Sequence, residues 1–279
     1  MHRIDFIALF LNPFSWVVFA FGCLFGSFFN VCIYRIPRKI FWKTSRSHCP
    51  ACDAAIPSWH NIPVVSWLFL RGKAACCGAR ISIQYPLVEF GTGVLWVLVY
   101  ATFPFVLLNT GSLAVDSAEL LRFAHALVFS SVLLICSVID LEHQIIPDVL
   151  SLPLIAMAPL AAMFHPELDL KSCVIGIVLG GGLFYAIAWI YFLVRKEYGL
   201  GLGDVKLLAG IGGWLGYQAV LTTIFWASML GSIIGVTVIM LSRKKTDMKL
   251  KLPFGPFLSL AAIVLLLFGS QLTDYIITF

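Results

Sequence analysis

Long apolar runs, separated by short polar stretches, extend along the chain from end to end. A helix needs about 20 mostly apolar residues to cross the hydrocarbon core of a membrane. Eight segments reach or approach that length: residues 13–34, 83–103, 120–139, 149–164, 173–194, 205–217, 219–241 and 254–276. This pattern predicts an all-α polytopic membrane protein with about eight transmembrane helices, of which the sixth is short.

Composition and charge agree with this fold class. Of the 279 residues, 60% are hydrophobic and 12% are charged, a balance far outside that of soluble globular proteins. With the loop after the first span placed in the cytoplasm, 16 of the 19 lysines and arginines lie on that side, all except Arg3, Arg122 and Lys171. The positive-inside rule is therefore satisfied, and the net charge of +5 indicates topology and contact with the lipid bilayer. It does not indicate nucleic-acid binding.

One sizeable polar segment, residues 35–82, interrupts the apolar pattern. We expect three parts: a first transmembrane helix over residues 1–34, a small cytoplasmic cysteine-containing loop domain over 35–82, and a transmembrane domain over 83–279. A segment of this size is too small to build a stable hydrophobic core without a disulfide, a metal or another staple.

The cysteines of the loop domain supply a candidate staple. Cys49 and Cys52 form a C-x-x-C pair, and Cys76 and Cys77 follow about two dozen residues later. This arrangement is zinc-ribbon-like, and a cytoplasmic position argues against a structural disulfide. The second pair is not spaced, so the alternatives are a site completed by His48 or a cysteine-containing loop without metal.

The stretch Gly-Leu-Gly-Leu-Gly-Asp-Val-Lys over residues 199–206 lies at the start of an apolar run. It places Asp204 and Lys206 at the mouth of a membrane segment, where an ionisable residue is a functional candidate by default. Gly201 and Gly203 remove side-chain bulk, so the backbone and a substrate strand can approach the carboxylate. The alternative is that Asp204 caps the next helix.

Two other acids are similarly placed, Asp140 and Asp148. Pro147 favours a helix start, so Asp148 suits a structural position in a first turn, and Asp140 is our preferred catalytic partner of Asp204. Two aspartates can share one proton, so that one activates water while the other polarises a peptide carbonyl. Glu89, just inside the second span, also needs a partner, for which we expect a basic residue of the loop.

Eight motifs, in order from the first span to the last, resemble those of the bacterial prepilin peptidases, the type 4 leader peptidases of the GxGD aspartic class. They are Gly-Ser-Phe-Phe-Asn-Val at 26–31, Cys-Pro-Ala-Cys at 49–52, Asn-Ile-Pro at 61–63, Tyr-Pro-Leu-Val-Glu at 85–89, Ile-Asp at 139–140, Ile-Pro-Asp at 146–148, Gly-Leu-Gly-Asp-Val-Lys at 201–206 and Phe-Gly-Pro-Phe at 254–257.

The resemblance implies an enzyme of the bacterial inner membrane. It implies cleavage of the leader peptide from type IV prepilins and type II secretion pseudopilins at the cytoplasmic face, followed by methylation of the new N-terminus with S-adenosylmethionine. By position, it implies that Asp140 and Asp204 are the catalytic pair. We assign supporting roles to residues around them and to one acid of the second span: Asp148, Gly201, Gly203, Lys206 and Glu89.

For the cysteine loop, the resemblance implies zinc ligands at Cys49, Cys52 and Cys77. The remaining family cysteine falls at Ala74, so this sequence departs from the pattern there, and the displaced Cys76 completes our predicted metal set. This departure leaves open a peptidase that has lost methyl transfer.

An alternative of another class is a proton-coupled transporter that uses the aspartates as a relay. Such a protein would show inverted repeats and acids near the membrane midplane. The chain has no evident internal repeat, and its key acids lie at one predicted membrane face.

Overall fold

The computed structural model describes residues 6–41, 49, 51–109, 112–164, 168–197, 201–241 and 252–277. Five residues that entered the predictions above lie outside the described residues: Arg3, His48, Pro50, Gly199 and Leu200. The helices are α1 (Phe6–Leu11), α2 (Pro13–Arg35), α3 (Val65–Phe69), α4 (Gln84–Thr102), α5 (Ser117–His143), α6 (Asp148–Phe164), α7 (Leu170–Arg195), α8 (Leu202–Leu215), α9 (Tyr217–Leu241) and α10 (Gly255–Ile277).

Eight of these helices coincide with the eight predicted apolar segments, which confirms the all-helical fold class. Within the described residues, five helices are long and apolar enough to cross a membrane: α2, α4, α5, α7 and α9. Helices α6 and α8 are shorter, with 17 and 14 residues, and of α10 only the part Gly255–Gly269 enters this comparison. The predicted count of eight spans is therefore not confirmed.

A short hairpin lies between α4 and α5, where the apolar pattern predicts no element. Strands β1 (Val106–Asn109) and β2 (Ser112–Val115) pair antiparallel, with Val106 opposite Val115. Contacts divide the chain into two compact units directly after this hairpin, residues 1–115 and 116–279. The first contains α1–α4 and the second α5–α10, while the functional division into 1–34, 35–82 and 83–279 stays a prediction.

In the first unit, helices α2 and α4 pack backbone against backbone. A Cβ added to Gly22 would lie 2.7 Å from the Cα of Gly93, and one added to Gly26 would lie 2.7 Å from the Cα of Glu89. Small residues four apart allow this approach in membrane helices. Near the end of α2, Asn30 donates a hydrogen bond from Nδ2 to the carbonyl of Tyr85 in α4, at 3.0 Å.

In the second unit, the short helix α8 packs closely against α7. A Cβ added to Gly180 would lie 2.5 Å from the carbonyl oxygen of Leu208, and one added to Gly176 would collide with the backbone of Gly212. On another side, the indole of Trp214 donates to the carbonyl of Leu154 in α6, at 2.7 Å. Helix α8 is therefore largely buried among its neighbours from Val205 to Trp214, whereas Leu202 in its first turn is exposed.

We expect Gly26→Ala to destabilise the protein, because its methyl group would meet backbone atoms of α4 that cannot move independently. Overpacking of this kind costs about 1–3 kcal/mol. The matched control is Gly91→Ala in α4, since a Cβ there meets nothing within 4 Å. Thermal melts in detergent should show a lower Tm for Gly26→Ala only. Equal Tm values for the two variants would contradict the close packing of α2 on α4.

Candidate active site

Asp140 lies in the last turn of α5. The helix ends at His143 because Gln144 adopts a left-handed conformation, with φ of 54°, and its N–H bonds to the carbonyl of Asp140. The Asp140 side chain is buried and only 5% exposed. Its Oδ2 accepts a hydrogen bond of 3.1 Å from the N–H of Gly255, the first residue of α10.

Gly255 is the residue that lets α10 approach this carboxylate. A Cβ at that position would lie 2.6 Å from Asp140 Oδ2 and 3.2 Å from Ile146 Cδ1. Real Cβ atoms do not approach an oxygen so closely, so any larger residue would displace one of the partners. The motif Phe-Gly-Pro-Phe therefore contributes a backbone donor, a contribution that the sequence analysis missed.

Asp204 lies in the first turn of α8. The N-cap of this helix is Gly201, which makes no side-chain capping bond, and the N–H of Asp204 bonds to the carbonyl of Gly201 at 3.1 Å. The alternative in which Asp204 is the N-cap is therefore wrong. Asp204 is instead the third residue of the helix, and it is half-buried.

Ile146 brings the two acidic stretches together. A Cβ added to Gly203 would lie 3.0 Å from the Cβ of Ile146, and the same isoleucine contacts Gly255, the partner of Asp140. Gly203, which directly precedes Asp204, therefore lies against the same isoleucine as Gly255, the residue that bonds to Asp140. Asp140 and Asp204, although 64 positions apart in the sequence, thus belong to one site.

Asp148 has a different environment. It is the first residue of α6, as Pro147 predicts, and its Oδ1 forms an ion pair of 2.6 Å with Nζ of Lys206. The carboxylate of Asp148 is 60% exposed, and exposed pairs of this type contribute little to stability. The pair does, however, connect the start of α6 to the first turn of α8.

Glu89 is buried in α4 and is 8% exposed. Its predicted partner, a basic residue of the loop, is wrong: Oε2 accepts a 2.7 Å hydrogen bond from the backbone N–H of Val64. Ser27 lies within hydrogen-bonding reach as well. Within the part of the chain that the structure describes, Glu89 forms no ion pair.

The four loop cysteines form one cluster. Their Sγ atoms all lie within 4.8 Å of one another, with 3.8 Å between Cys49 and Cys77 and 3.3 Å between Cys52 and Cys76. Four thiolates around zinc at about 2.3 Å require sulfur–sulfur distances of about 3.8 Å. The donor set therefore fits a tetrahedral metal ion, and the displaced Cys76 belongs to it.

Two matching turns hold the cluster. In the first, the N–H of Asp53 bonds to the carbonyl of Cys49, and in the second the N–H of Gly78 bonds to that of Ala74, both at 2.8 Å. The first residue of each turn also donates to the carbonyl five positions on, at 2.9 and 2.8 Å. Ala74 is therefore the structural counterpart of Cys49, and Cys76 supplies its sulfur from a different point of the turn.

The thiols of the cluster differ in acidity. The backbone N–H of Ala51 lowers the pKa of Cys49 to about 7, while the hydrogen bond with Cys52 raises the pKa of Cys76 to about 12. Neighbouring thiolates repel one another, so the cluster does not hold four negative charges by itself. A bound metal cation supplies the missing charge and deprotonates its ligands.

Comparisons with known proteins match both the part of the chain with the cysteine cluster and the part with the two aspartates. A family model described as Bacterial Peptidase A24 N-terminal domain matches residues 20–103, and one described as Type IV leader peptidase family matches residues 127–236. The chain is 35% identical to a prepilin leader peptidase/N-methyltransferase of Stutzerimonas stutzeri, over 98% of this chain and 97% of the relative.

The chain belongs to the type IV leader peptidase family.

Other relatives with the same name agree with this assignment. The chain is 34% identical to one of Pseudomonas aeruginosa, over 98% of this chain and 97% of the relative. It is also 34% identical to one of Dichelobacter nodosus, over 90% and 91%. No solved structure gives a significant match. Membership of the leader peptidase family confirms the resemblance on which the sequence analysis relied.

The cysteine cluster yields a prediction about Cys76, the residue displaced from the family pattern. We expect Cys76→Ala to lose most of the protein-bound metal, because three sulfurs leave the tetrahedral site incomplete. Adding Ala74→Cys should restore metal, since Ala74 occupies the position equivalent to Cys49. Inductively coupled plasma mass spectrometry of the purified variants measures this, with the buried Cys32→Ala as control. Full metal content in Cys76→Ala would exclude Cys76 as a ligand.

Proposed function

We propose that this chain removes the leader peptide from type IV prepilins and type II secretion pseudopilins and methylates the new N-terminus. The proposal is supported by one set of contacts above the others: Asp140 bonds to Gly255, and Ile146 contacts both Gly255 and Gly203, the residue before Asp204. An aspartate pair of this kind is the minimal machinery for peptide hydrolysis by water. The relatives are named for both activities.

The two carboxyl groups act as a pair. Two carboxyl groups in one site favour a state in which they share one proton, because their like charges repel. The ionised member takes a proton from water as the water oxygen attacks the carbonyl carbon, and the protonated member donates its proton to the carbonyl oxygen. Collapse of the resulting diol breaks the C–N bond, and the leaving amine takes up a proton.

Neighbouring residues position the pair. The N–H of Gly255 orients Oδ2 of Asp140, which leaves its other oxygen for the water or the shared proton. Gly201 and Gly203 keep the approach to Asp204 free of side chains, so an extended substrate backbone can come close. The ion pair of Asp148 and Lys206 fixes the start of α6 against that of α8. These residues position the site and do not perform the chemistry.

The second activity needs a methyl donor, which we assign as S-adenosylmethionine, and a structured N-terminal region. When bound, the donor supplies an electrophilic methyl group to the substrate amine. We assign zinc to the cluster of Cys49, Cys52, Cys76 and Cys77, in a structural role, because four sulfur ligands leave no open coordination position. The irregular cysteine set therefore gives no ground for a peptidase that has lost methyl transfer.

We place both activities at the cytoplasmic face of the bacterial inner membrane. Asp140 lies at the C-terminal end of α5 and Asp204 at the N-terminal end of α8. If the two helices run in opposite directions across the membrane, these two ends lie at the same face. The positive-inside rule assigns that face to the cytoplasm. Because the chain belongs to the leader peptidase family, we do not propose the transporter alternative.

We expect Asp140→Asn and Asp204→Asn each to abolish cleavage, by about 10³-fold or more, because neither amide can complete the proton-sharing pair. Asp148→Asn should reduce the rate only a few-fold, as expected for an exposed ion pair. Intact-mass analysis of a prepilin incubated with each variant measures loss of the leader. Cleavage that survives Asp140→Asn but not Asp148→Asn would show that Asp148 is the true partner of Asp204.

Gly255→Ala tests the backbone donor. Its methyl group would push α10 away from Asp140, and a misplacement of about 1 Å in a catalytic group can reduce the rate about 10²-fold. Gly182→Ala in α7 is the matched control, since a Cβ there meets nothing within 4 Å. Cleavage rates should fall in the first variant alone. An unchanged rate in Gly255→Ala would mean that the close contact with Asp140 is not needed.

A further inference from the structure

The first unit contains a cavity that the proposed hydrolysis does not use. It has a volume of about 620 Å³ and lies between α2, α4 and the cysteine-containing segment. Small-molecule sites typically have volumes of about 300–1,000 Å³, so a nucleoside-sized ligand fits. Cys49 and Cys76 are among its lining residues, so the metal cluster forms part of the wall.

Charged side chains of both signs line this cavity: Glu89 and the two arginines Arg35 and Arg80. Glu89 is the one acid among the described residues that line the cavity, and it is almost fully buried. Its carboxylate accepts the N–H of Val64 and forms no ion pair within the described part of the chain. A buried carboxylate on a cavity wall attracts a cationic group of a ligand, and guanidinium groups attract an anionic one. The cavity therefore suits a ligand that carries both charges.

The loop that donates to Glu89 is held under strain. Val64 has φ of 63° and ψ of −50°, and the N–H of Val65 bonds to the carbonyl of Pro63 at 2.6 Å. This is a γ-turn with positive φ, a rare conformation that is costly for a β-branched residue. Strain of this kind persists where surrounding structure enforces it, commonly at ligand sites. Here it directs a backbone N–H to the one acid of the cavity.

Aromatic side chains complete the wall, among them Tyr34, His60 and Trp67. The indole of Trp67 is fixed by a hydrogen bond of 3.2 Å to the carbonyl of Ile81. Aromatic faces attract cations and stack on flat heterocycles. A ligand with a positive charge and a purine base therefore matches both the acid and the rings.

We propose that this cavity binds S-adenosylmethionine and that Glu89 recognises its positively charged sulfonium. The inference rests on the proposed methyltransferase function. In the transfer, the lone pair of the substrate amine forms the new N–C bond, the C–S bond breaks with its electrons going to sulfur, and the amine loses a proton to solvent. Since the product thioether is neutral, Glu89 favours the donor over the spent product.

The test compares the binding of S-adenosylmethionine and of S-adenosylhomocysteine to the full-length, metal-loaded protein by equilibrium dialysis. Glu89→Gln removes the charge but keeps an acceptor for the N–H of Val64. It should weaken the binding of S-adenosylmethionine about tenfold, as the loss of one partly buried charge interaction predicts, and change that of S-adenosylhomocysteine less than about twofold. Glu197→Gln, an exposed glutamate beyond α7, is the matched control and should change neither.

Three results would overturn the inference. They are unchanged binding of S-adenosylmethionine in Glu89→Gln, equal weakening of both ligands, and ultraviolet cross-linking of radiolabelled S-adenosylmethionine to peptides outside the first unit. The cross-linking uses unmodified protein, so it does not depend on the folding of a variant. If the unmodified protein neither binds S-adenosylmethionine nor methylates a cleaved prepilin, the proposed methyltransferase function fails together with this site.

Discussion

The site in the second unit depends on the contact between the start of α10 and the carboxylate of Asp140. That carboxylate stands at the C-terminal end of α5, where the helix dipole disfavours negative charge. The N–H of Gly255, at the N-terminal end of α10, supplies a donor at 3.1 Å and a dipole of the opposite sense. The contact exists only because position 255 has no Cβ. Gly255 also lies against Ile146, which in turn contacts Gly203 beside Asp204.

The same physical device organises both units. Lipid offers no hydrophobic gain for bringing two apolar helices together, so close packing must supply the attraction. In the first unit Gly22 and Gly26 let α2 lie on α4, and in the second Gly176 and Gly180 let α7 lie on α8. These contacts set how closely the helices approach, and the same packing positions the polar groups on them. Asn30 reaches the backbone of α4 for this reason.

The polar segment of the first unit is too small for a hydrophobic core of its own. It is held instead by the cysteine cluster and by a hydrogen bond to α4. Two matching turns bring four sulfur atoms together, although an alanine occupies the position where symmetry calls for cysteine. The hydrogen bond from Val64 to Glu89 connects the same segment to α4. Between these two points lies the cavity that we assign to the methyl donor, so the cysteine cluster and the buried acid both line it.

The sequence by itself determined the helical segments, the membrane class and the set of candidate residues. Apolar runs and isolated acids are local features that need no partner to be recognised, and the motif order identified the family. It also distinguished Asp148 from Asp140, because Pro147 marks a helix start.

Tertiary structure alone decided what those residues contact. The partner of Glu89 is a backbone N–H from a strained turn, the partner of Asp140 is the backbone of Gly255, and Cys76 joins the cluster from a non-equivalent position. Backbone donors have no signature in the sequence, since every residue except proline carries one, and only packing selects which of them points at a carboxylate.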